Sequence, residues 1–473
     1  MGGTPAMRYD AVIVGSGMAG LLAAHRLLRE RPGAAALIVD AGPALDARNR
    51  YGTGEWGGYG GAGLFLGGRV YLGAATIPVL PPLSLPAGAH VVLEGKAYAE
   101  RTREVNALLD RLGAHAPLRD TPNEGVTQAM ERAAEAGLEY VTSYPARFLS
   151  IEERMGVLRA LHDELGAAGV GFRFGAPMTA IARTVEGYRL TLGTAEAAAS
   201  EDTAQSIETR ALLLAPGRYG AEWLVRVAGE LGAGVVPLAP AFGVRIEVPR
   251  AAYAPLTDVN PDPRLQRTLE DADAMVKTYA TCPGGIVTAV ERYGRLVASG
   301  VPLMGEERTP NTTFAVLVQP GVRGAAERWR GGEASAALLN ERAPGRLVVQ
   351  RLADMQAGRA TMAAALAANS IAPTNRAAQP GALHDAYPDA YWRAFEDLLA
   401  RIERLAPGVA TGDTLLYGPA EERFWYFPTD ERLQTTLPGL FVAGDGPGQS
   451  QGIVQAAVTG LLAGEGLARH LAG

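Results

Sequence analysis

The segment Tyr9-Asp10-Ala11-Val12-Ile13-Val14 runs straight into Gly15-Ser16-Gly17-Met18-Ala19-Gly20, and an apolar helical pattern follows. Few folds accommodate that order. Val12, Ile13 and Val14 form a short buried strand, and glycines at this spacing permit a tight turn, close backbone approach to a pyrophosphate and close packing of helix on strand. N–H groups at the helix start then face the phosphates. A second apolar run, Leu37-Ile38-Val39, ends at Asp40, twenty residues past Gly20, where a carboxylate accepts hydrogen bonds from ribose hydroxyls. In a chain of 59 glycines the motif alone would be weak, and a turn without ligand is the competing explanation. Strand before, helix after and acid at the right distance weigh against it. Gly15, Ser16, Gly17, Met18, Ala19, Gly20, Asp40 and Ala41 are therefore the first candidate dinucleotide contacts.

Composition sets bounds on the rest. A chain of 473 residues holds two or three domains, and 48% hydrophobic with 20% charged residues is the balance of a globular protein. The longest apolar stretches, 211–215 and 437–443, are too short to cross a bilayer, and residues 1–8 lack the apolar core of a signal peptide, so no membrane partner and a cytoplasmic location are expected. Formal net charge is −6 and no Lys/Arg run supplies a basic patch, so no nucleic-acid partner is expected. Cys282 is the single cysteine, which excludes an intramolecular disulfide and a cysteine-based metal centre; no metal is expected.

Residues 7–42 form a β-α-β unit. Residues 52–73 follow as a glycine-rich loop in which Trp56, Tyr59, Leu64, Phe65 and Leu66 are interleaved. Such aromatics do not suit a solvated spacer; glycines among them suggest backbone lying against a flat ligand, with Gly60, Gly61, Ala62 and Gly63 as contacts. Helical periodicity covers 97–113, 124–137 and 154–168. Segments 170–174 and 178–183 suggest a strand pair, with 188–192 next, and 211–215 is a buried parallel strand ending in Pro216-Gly217. Strand-like segments at 242–248, 274–281, 286–291 and 314–319 predict a second sheet. Residues 322–405 are mostly helical, including 336–340, 348–355 and 390–405, around a loop at 370–382. The chain closes on a strand at 439–443 and a helix at 455–471.

This order predicts an α/β fold: a Rossmann-like domain with a central parallel sheet and a β-meander, interrupted by a mixed α+β substrate domain. The expected boundaries are 7–80, 151–239 and 411–473 for the nucleotide domain, 81–150 for a helical insertion, and 240–410 for the substrate domain.

Four separated stretches resemble the two-dinucleotide-fold flavoproteins typified by glutathione reductase and para-hydroxybenzoate hydroxylase. They are the segment through Asp40, the run Leu212-Leu213-Leu214-Ala215-Pro216-Gly217, the run Gly439-Leu440-Phe441-Val442-Ala443-Gly444-Asp445, and Gly452-Ile453-Val454-Gln455-Ala456-Ala457. Residues 58–63, 240–247 and 282–285 narrow the likeness to an uncharacterised bacterial family of FAD-dependent dehydrogenases. The resemblance implies non-covalent FAD, with Met178, Ala215, Pro216 and Gly217 beside it. It also implies that Gly444 and Asp445 receive the ribityl hydroxyls, and that the helix opening at Gly452 and Ile453 points its dipole at the isoalloxazine. Three departures stand out. Pro216 replaces the usual threonine, Ala280 stands where the first cysteine of a Cys-x-Cys pair is expected, and 423–429 is unusually aromatic.

If flavin is bound, the residues that matter face its reactive edge. Candidates are Cys282 before Pro-Gly-Gly, Lys277 and Tyr279 on the same strand, Arg245 as a clamp for a substrate carboxylate, and Trp425 with Tyr426 as a roof for a flat or apolar substrate. Each has a plainer explanation: Cys282 as a small buried hydrophobe, Lys277 on a solvent-facing strand position, Trp425 and Tyr426 as core, Tyr279 as packing, and Arg245 with Glu247 as surface charge. No second Gly-rich fingerprint marks a nicotinamide domain. The expectation is an FAD-dependent oxidoreductase exchanging hydride with a small organic molecule. Flavin monooxygenation and non-redox FAD are the alternatives; the external electron donor or acceptor stays open. A homodimer is compatible with the sequence.

Overall fold

The computed structural model describes residues 7–48, 57–73, 77, 91–142, 145–193, 205–269, 274–303, 307–321, 329 and 331–473. Trp56 and the start of the expected glycine-rich loop lie outside them. The chain forms two units: residues 1–121, 143–238 and 424–473 make the first, and 122–142 with 239–423 the second.

The first unit is α/β. Its seven-stranded sheet places Gly171–Arg173, Ala36–Val39, Met7–Val14 and Gln205–Leu214 side by side and parallel. The last of these strands divides its free edge. Residues up to Thr209 carry the antiparallel meander of Tyr188–Leu192 and Met178–Arg183, and Leu212 to Leu214 carry the parallel strand Leu440–Val442. Period-two alternation explains the burial. Ala11, Ile13, Ala36, Ile38, Ala211, Leu213 and Phe441 point into a core shared with the helices Met18–Glu30 and Ile453–Ala472. Val12, Val14, Leu37, Val39, Leu212, Leu214 and Val442 point into another core, capped by the helix Ala221–Leu231. The two core-facing helices nearly touch along their backbones: a Cβ on Gly460 would meet the Ala19 carbonyl at 2.3 Å, and one on Gly464 the Ala23 carbonyl at 2.6 Å.

The second unit is a mixed α+β body. Its eight-stranded sheet runs Gln379–Pro380, Val348–Arg351, Leu415–Glu422, Ala241–Pro249, Asn311–Pro320, Ala274–Pro283, Arg264–Leu269, Glu139–Val141. All neighbours are antiparallel except the first pair. The helix Asp389–Leu405 buries Tyr391, Trp392, Phe395, Leu398, Leu399 and Ile402 at helical spacing.

Several expectations change. Segments 170–174 and 178–183 do not pair with each other. Gly171–Arg173 joins Ala36–Val39, and Met178–Arg183 joins Tyr188–Leu192, because Gly175 at φ +61 and Pro177 turn the chain between them. Residues 348–355 are not one helix: Val348 and Val349 belong to a strand, and only Leu352–Gln356 is helical. β-branched residues paired against Leu415–Glu422 override the apolar periodicity. Ile286–Arg292 leaves the second sheet to form its own hairpin with Arg295–Val301. Leu415–Glu422 belongs to the second unit, so the return to the first falls at 423–424 rather than 411, and the expected insertion at 81–150 is divided, with 122–142 in the second unit. Among the described residues no helix is long and apolar enough to cross a membrane, and no group of His, Cys, Asp or Glu could hold a metal ion.

Candidate dinucleotide site

The site of the first unit is built from turns at the carboxyl ends of its parallel strands, where open α/β sheets bind ligands. Met7–Val14 ends at Gly15, whose φ is +106 and where a Cβ would lie 2.1 Å from the Ala215 carbonyl oxygen. Glycine alone fits there. A Cβ on Gly20 would lie 1.9 Å from the Gly15 carbonyl, so the helix sits directly on the turn. That helix starts after Gly17 with no side-chain cap. Its first N–H groups, which have no intrahelical acceptor, make a ready anion site.

Asp40 locks the first turn to the second. Its Oδ2 accepts the Ser16 N–H at 2.8 Å and the Ser16 hydroxyl at 2.7 Å, while Oδ1 accepts the Gly42 N–H at 2.8 Å. A carboxylate oxygen has two lone pairs, so Oδ1 keeps acceptor capacity for a ligand hydroxyl.

The glycine-rich loop lies against this turn. The Gly60 N–H donates to the Ser16 carbonyl at 2.8 Å, and a Cβ on Gly61 would come within 3.0 Å of the Gly17 Cα. Buried arginines hold the loop from behind. Arg48 Nη1 donates to the carbonyls of Gly58 (3.4 Å), Tyr59 (2.8 Å) and Gly61 (3.0 Å), and its guanidinium stacks 3.8 Å over Phe65. Arg154 Nη1 donates to the Phe65 carbonyl at 2.9 Å. Tyr59 is fully buried among His162, Phe172 and Phe174, edge-on to each, and burial pushes its phenol well above the usual range. It anchors the loop within the core.

The C-terminal strand brings a further turn. Val442 sits opposite Leu214, the Gly444 N–H donates to Thr459 Oγ1 at 3.0 Å, and a Cβ on Gly446 would meet the Gly217 carbonyl at 2.7 Å. Asp445 Oδ1 accepts the Ser450 hydroxyl at 2.5 Å and the Gly452 N–H at 3.4 Å, so the carboxylate also organises the entry to the helix Ile453–Ala472. Burial pushes the Asp445 carboxyl above its usual range, while the Arg218 charge, the Ser450 hydroxyl and the Gly452 N–H pull it back. Gly63 closes this end: a Cβ there would lie 3.0 Å from Ile453 Cγ1.

The turns after Val14 and Val39, the glycine-rich loop and the turn at 215–220 line a cavity of about 370 Å³. Of the residues expected from sequence, Gly15, Gly17, Asp40, Ala41, Gly61, Ala62, Met178, Ala215, Pro216 and Gly217 line it. Ser16, Met18, Ala19, Gly20, Gly60, Gly63, Gly444, Asp445, Gly452 and Ile453 belong to the surrounding turns and helix starts and are not part of its lining. Sequence reasoning missed Ala176, Pro177, Arg218, Tyr219 and Trp223 on its walls. The signal was present, since the first two adjoin Met178 and the others follow the Pro216-Gly217 turn into a helix.

The expected catalytic side chains fall in different places. Trp425 and Tyr426 form a two-residue strand with Val236–Pro237 in the first unit; Trp425 packs on core, Tyr426 is buried, and both are outside the cavity lining. Lys277, Tyr279, Cys282 and Arg245 belong to the sheet of the second unit. Lys277 is half-buried, and its Nζ donates to Gln319 Oε1 at 2.6 Å. The plainer explanation of Arg245 and Glu247 as surface charge does not hold, because both are buried. Arg245 Nε donates to Thr313 Oγ1 at 2.9 Å, and Nη2 reaches the Ala280 carbonyl at 3.0 Å and Cys282 Sγ at 3.4 Å. Glu247 accepts from Asn311 Nδ2 at 2.8 Å and from the Tyr417 hydroxyl at 2.6 Å.

No family model and no curated protein sequence matches the chain. Among solved structures, 98% of the chain is similar to AlpK at 15% identity and a TM-score of 0.40, spanning 63% of that chain. It is similar over 98% of its length to 3-ketosteroid-delta4-(5alpha)-dehydrogenase from Rhodococcus jostii, at 13% identity, a TM-score of 0.39 and 97% of that chain. Glycine oxidase from Geobacillus kaustophilus gives 15% identity and a TM-score of 0.38 over 98% of this chain and 95% of that one.

Proposed function

We propose that the first unit binds FAD and that the chain is an FAD-dependent oxidoreductase acting on a small organic molecule. The observation that carries this is the cradle itself: Gly15, which admits no Cβ, the open helix start after Gly17, and Gly61 packed on Gly17, with Asp40 at the rim. In this reading the N–H groups after Gly17 hold the pyrophosphate, and Asp40 orients a ribose through its remaining acceptor capacity. Gly444, Asp445 and the helix opening at Gly452 extend the same row of turns, which suits a ligand longer than a mononucleotide. The positive end of that helix favours negative charge beside it. Bound flavin supplies hydride transfer at N5, and the protein supplies position, electrostatics and exclusion of water.

Anaerobic titration of the FAD-loaded protein tests the reaction class. Bleaching of the flavin by a small organic donor, with two electrons consumed per flavin, supports dehydrogenation. Turnover without net electron consumption contradicts it. A transient hydroperoxide absorbance when reduced protein meets oxygen would reassign the chain to oxygenation.

A further inference from the structure

We infer that Trp223 is the wall on which the ligand's purine ring stacks, so that an aromatic surface, in addition to backbone, selects the adenylate half of the site; this rests on the FAD reading above. Trp223 lies in the first turn of the helix Ala221–Leu231, is half-buried, and lines the cavity. Its indole Nε1–H donates to the Met178 carbonyl at 3.2 Å, which fixes the ring between that helix and the strand Met178–Arg183. The one hydrogen-bond donor of the indole is thereby engaged within the protein. What the side chain offers the cavity is apolar ring surface. Apolar Ala176, Pro177, Ala215 and Pro216 share that lining with Arg218, while the carboxylate of Asp40 supplies the acceptor for a sugar. A flat heterocycle attached to that sugar finds in this part of the cavity a surface for stacking. Stacking is tolerant of ring substituents but needs a ring. Tyr219 also lines the cavity, but it is the more exposed ring and lies in the 218–220 turn outside the helix.

Fluorescence titration of apoprotein with FAD, ADP and FMN tests this, FMN being the probe without a purine. ADP, which does not absorb tryptophan emission, should quench it in the wild type, and Trp223→Phe should remove most of that quenching while binding FAD and ADP less than tenfold more weakly. Trp223→Ala should weaken FAD and ADP by roughly ten- to hundredfold, the range for loss of one base–aromatic stack, and leave FMN unchanged. Thermal melts of both variants confirm that the fold persists. Wild-type affinity for FAD and ADP in Trp223→Ala, or equal losses for FAD and FMN, would overturn the inference while leaving the FAD reading standing. Quenching and Trp223-dependent binding of ADP by a protein that rejects FAD would support the aromatic wall and remove the FAD reading. Rejection of all three by the wild type overturns both.

Discussion

The two units treat buried polarity in opposite ways. In the first, the turns at the strand ends expose backbone: Gly15 and Gly61 exclude side chains, and the helix after Gly17 starts without a side-chain cap. In the second, buried polarity is carried by side chains that close on one another, Arg245 on Thr313, Ala280 and Cys282, and Glu247 on Asn311 and Tyr417. A backbone cradle leaves donors for something outside the chain, whereas a side-chain network consumes them. Buried charge therefore marks stability in the second unit and glycine marks the proposed ligand site in the first.

Substitutions separate these two roles. The largest effect is expected at Gly15→Val, where the Cβ meets backbone at 2.1 Å in a conformation that disfavours any side chain. A loss of about 4 kcal/mol or more and no retained flavin should be seen in thermal melts and visible absorbance. Gly17→Ala is the internal contrast, because its Cβ would make only a 3.8 Å contact with Gly61 and the fold should persist. Arg245→Met should cost on the order of 3 kcal/mol by leaving Thr313 and Ala280 without their donor, with flavin bound per folded chain unchanged. A loss of flavin at unchanged stability would break the contrast between the units. Arg48→Met removes the donor shared by three loop carbonyls, and calorimetric titration should show FAD binding weakened roughly tenfold, about 1.4 kcal/mol.

The smallest effect concerns pH. Because the folded state raises the Asp445 carboxyl, its ionised form destabilises the apoprotein above the raised value, and this cost disappears as pH falls toward the ordinary carboxylate range. Asp445→Asn keeps an acceptor for Ser450 and Gly452 and should therefore raise the apoprotein Tm near neutral pH by about 2–4 °C. The gain should shrink on acidification, while FAD affinity falls at all pH values. A gain independent of pH would remove burial of charge as its cause.

The sequence made the first unit's cradle legible because its determinants are local: strand, glycine spacing and helix stand within 24 residues of one another in Met7–Glu30. Asp40 was legible from its distance past Gly20, whereas Gly444 and Asp445 entered only through the resemblance to flavoproteins and stand outside the cavity lining. Trp223 was not legible, since it acts through a partner distant in sequence, the Met178 carbonyl; nor was Arg48, whose partners at 58–61 are near in sequence but are backbone carbonyls that leave no mark in the residue types. Strand pairing at 170–183 was misassigned because adjacency in sequence favoured a hairpin that Gly175 and Pro177 redirect. The helix expected at 348–355 failed where two valines paired with a strand nearly seventy residues away. Burial of Arg245 and Glu247 was hidden because alternation looks the same on a strand covered on one face or two; every residue of Ala241–Val248 is buried.

Titration of the wild-type apoprotein with FAD, followed by flavin fluorescence and competed with ADP, tests the central claim most directly. A saturable site that takes up one FAD per chain, is competed by ADP and is abolished by Gly15→Val is the predicted result. A well-folded wild-type protein that leaves FAD fluorescence unchanged at saturating concentration would contradict it.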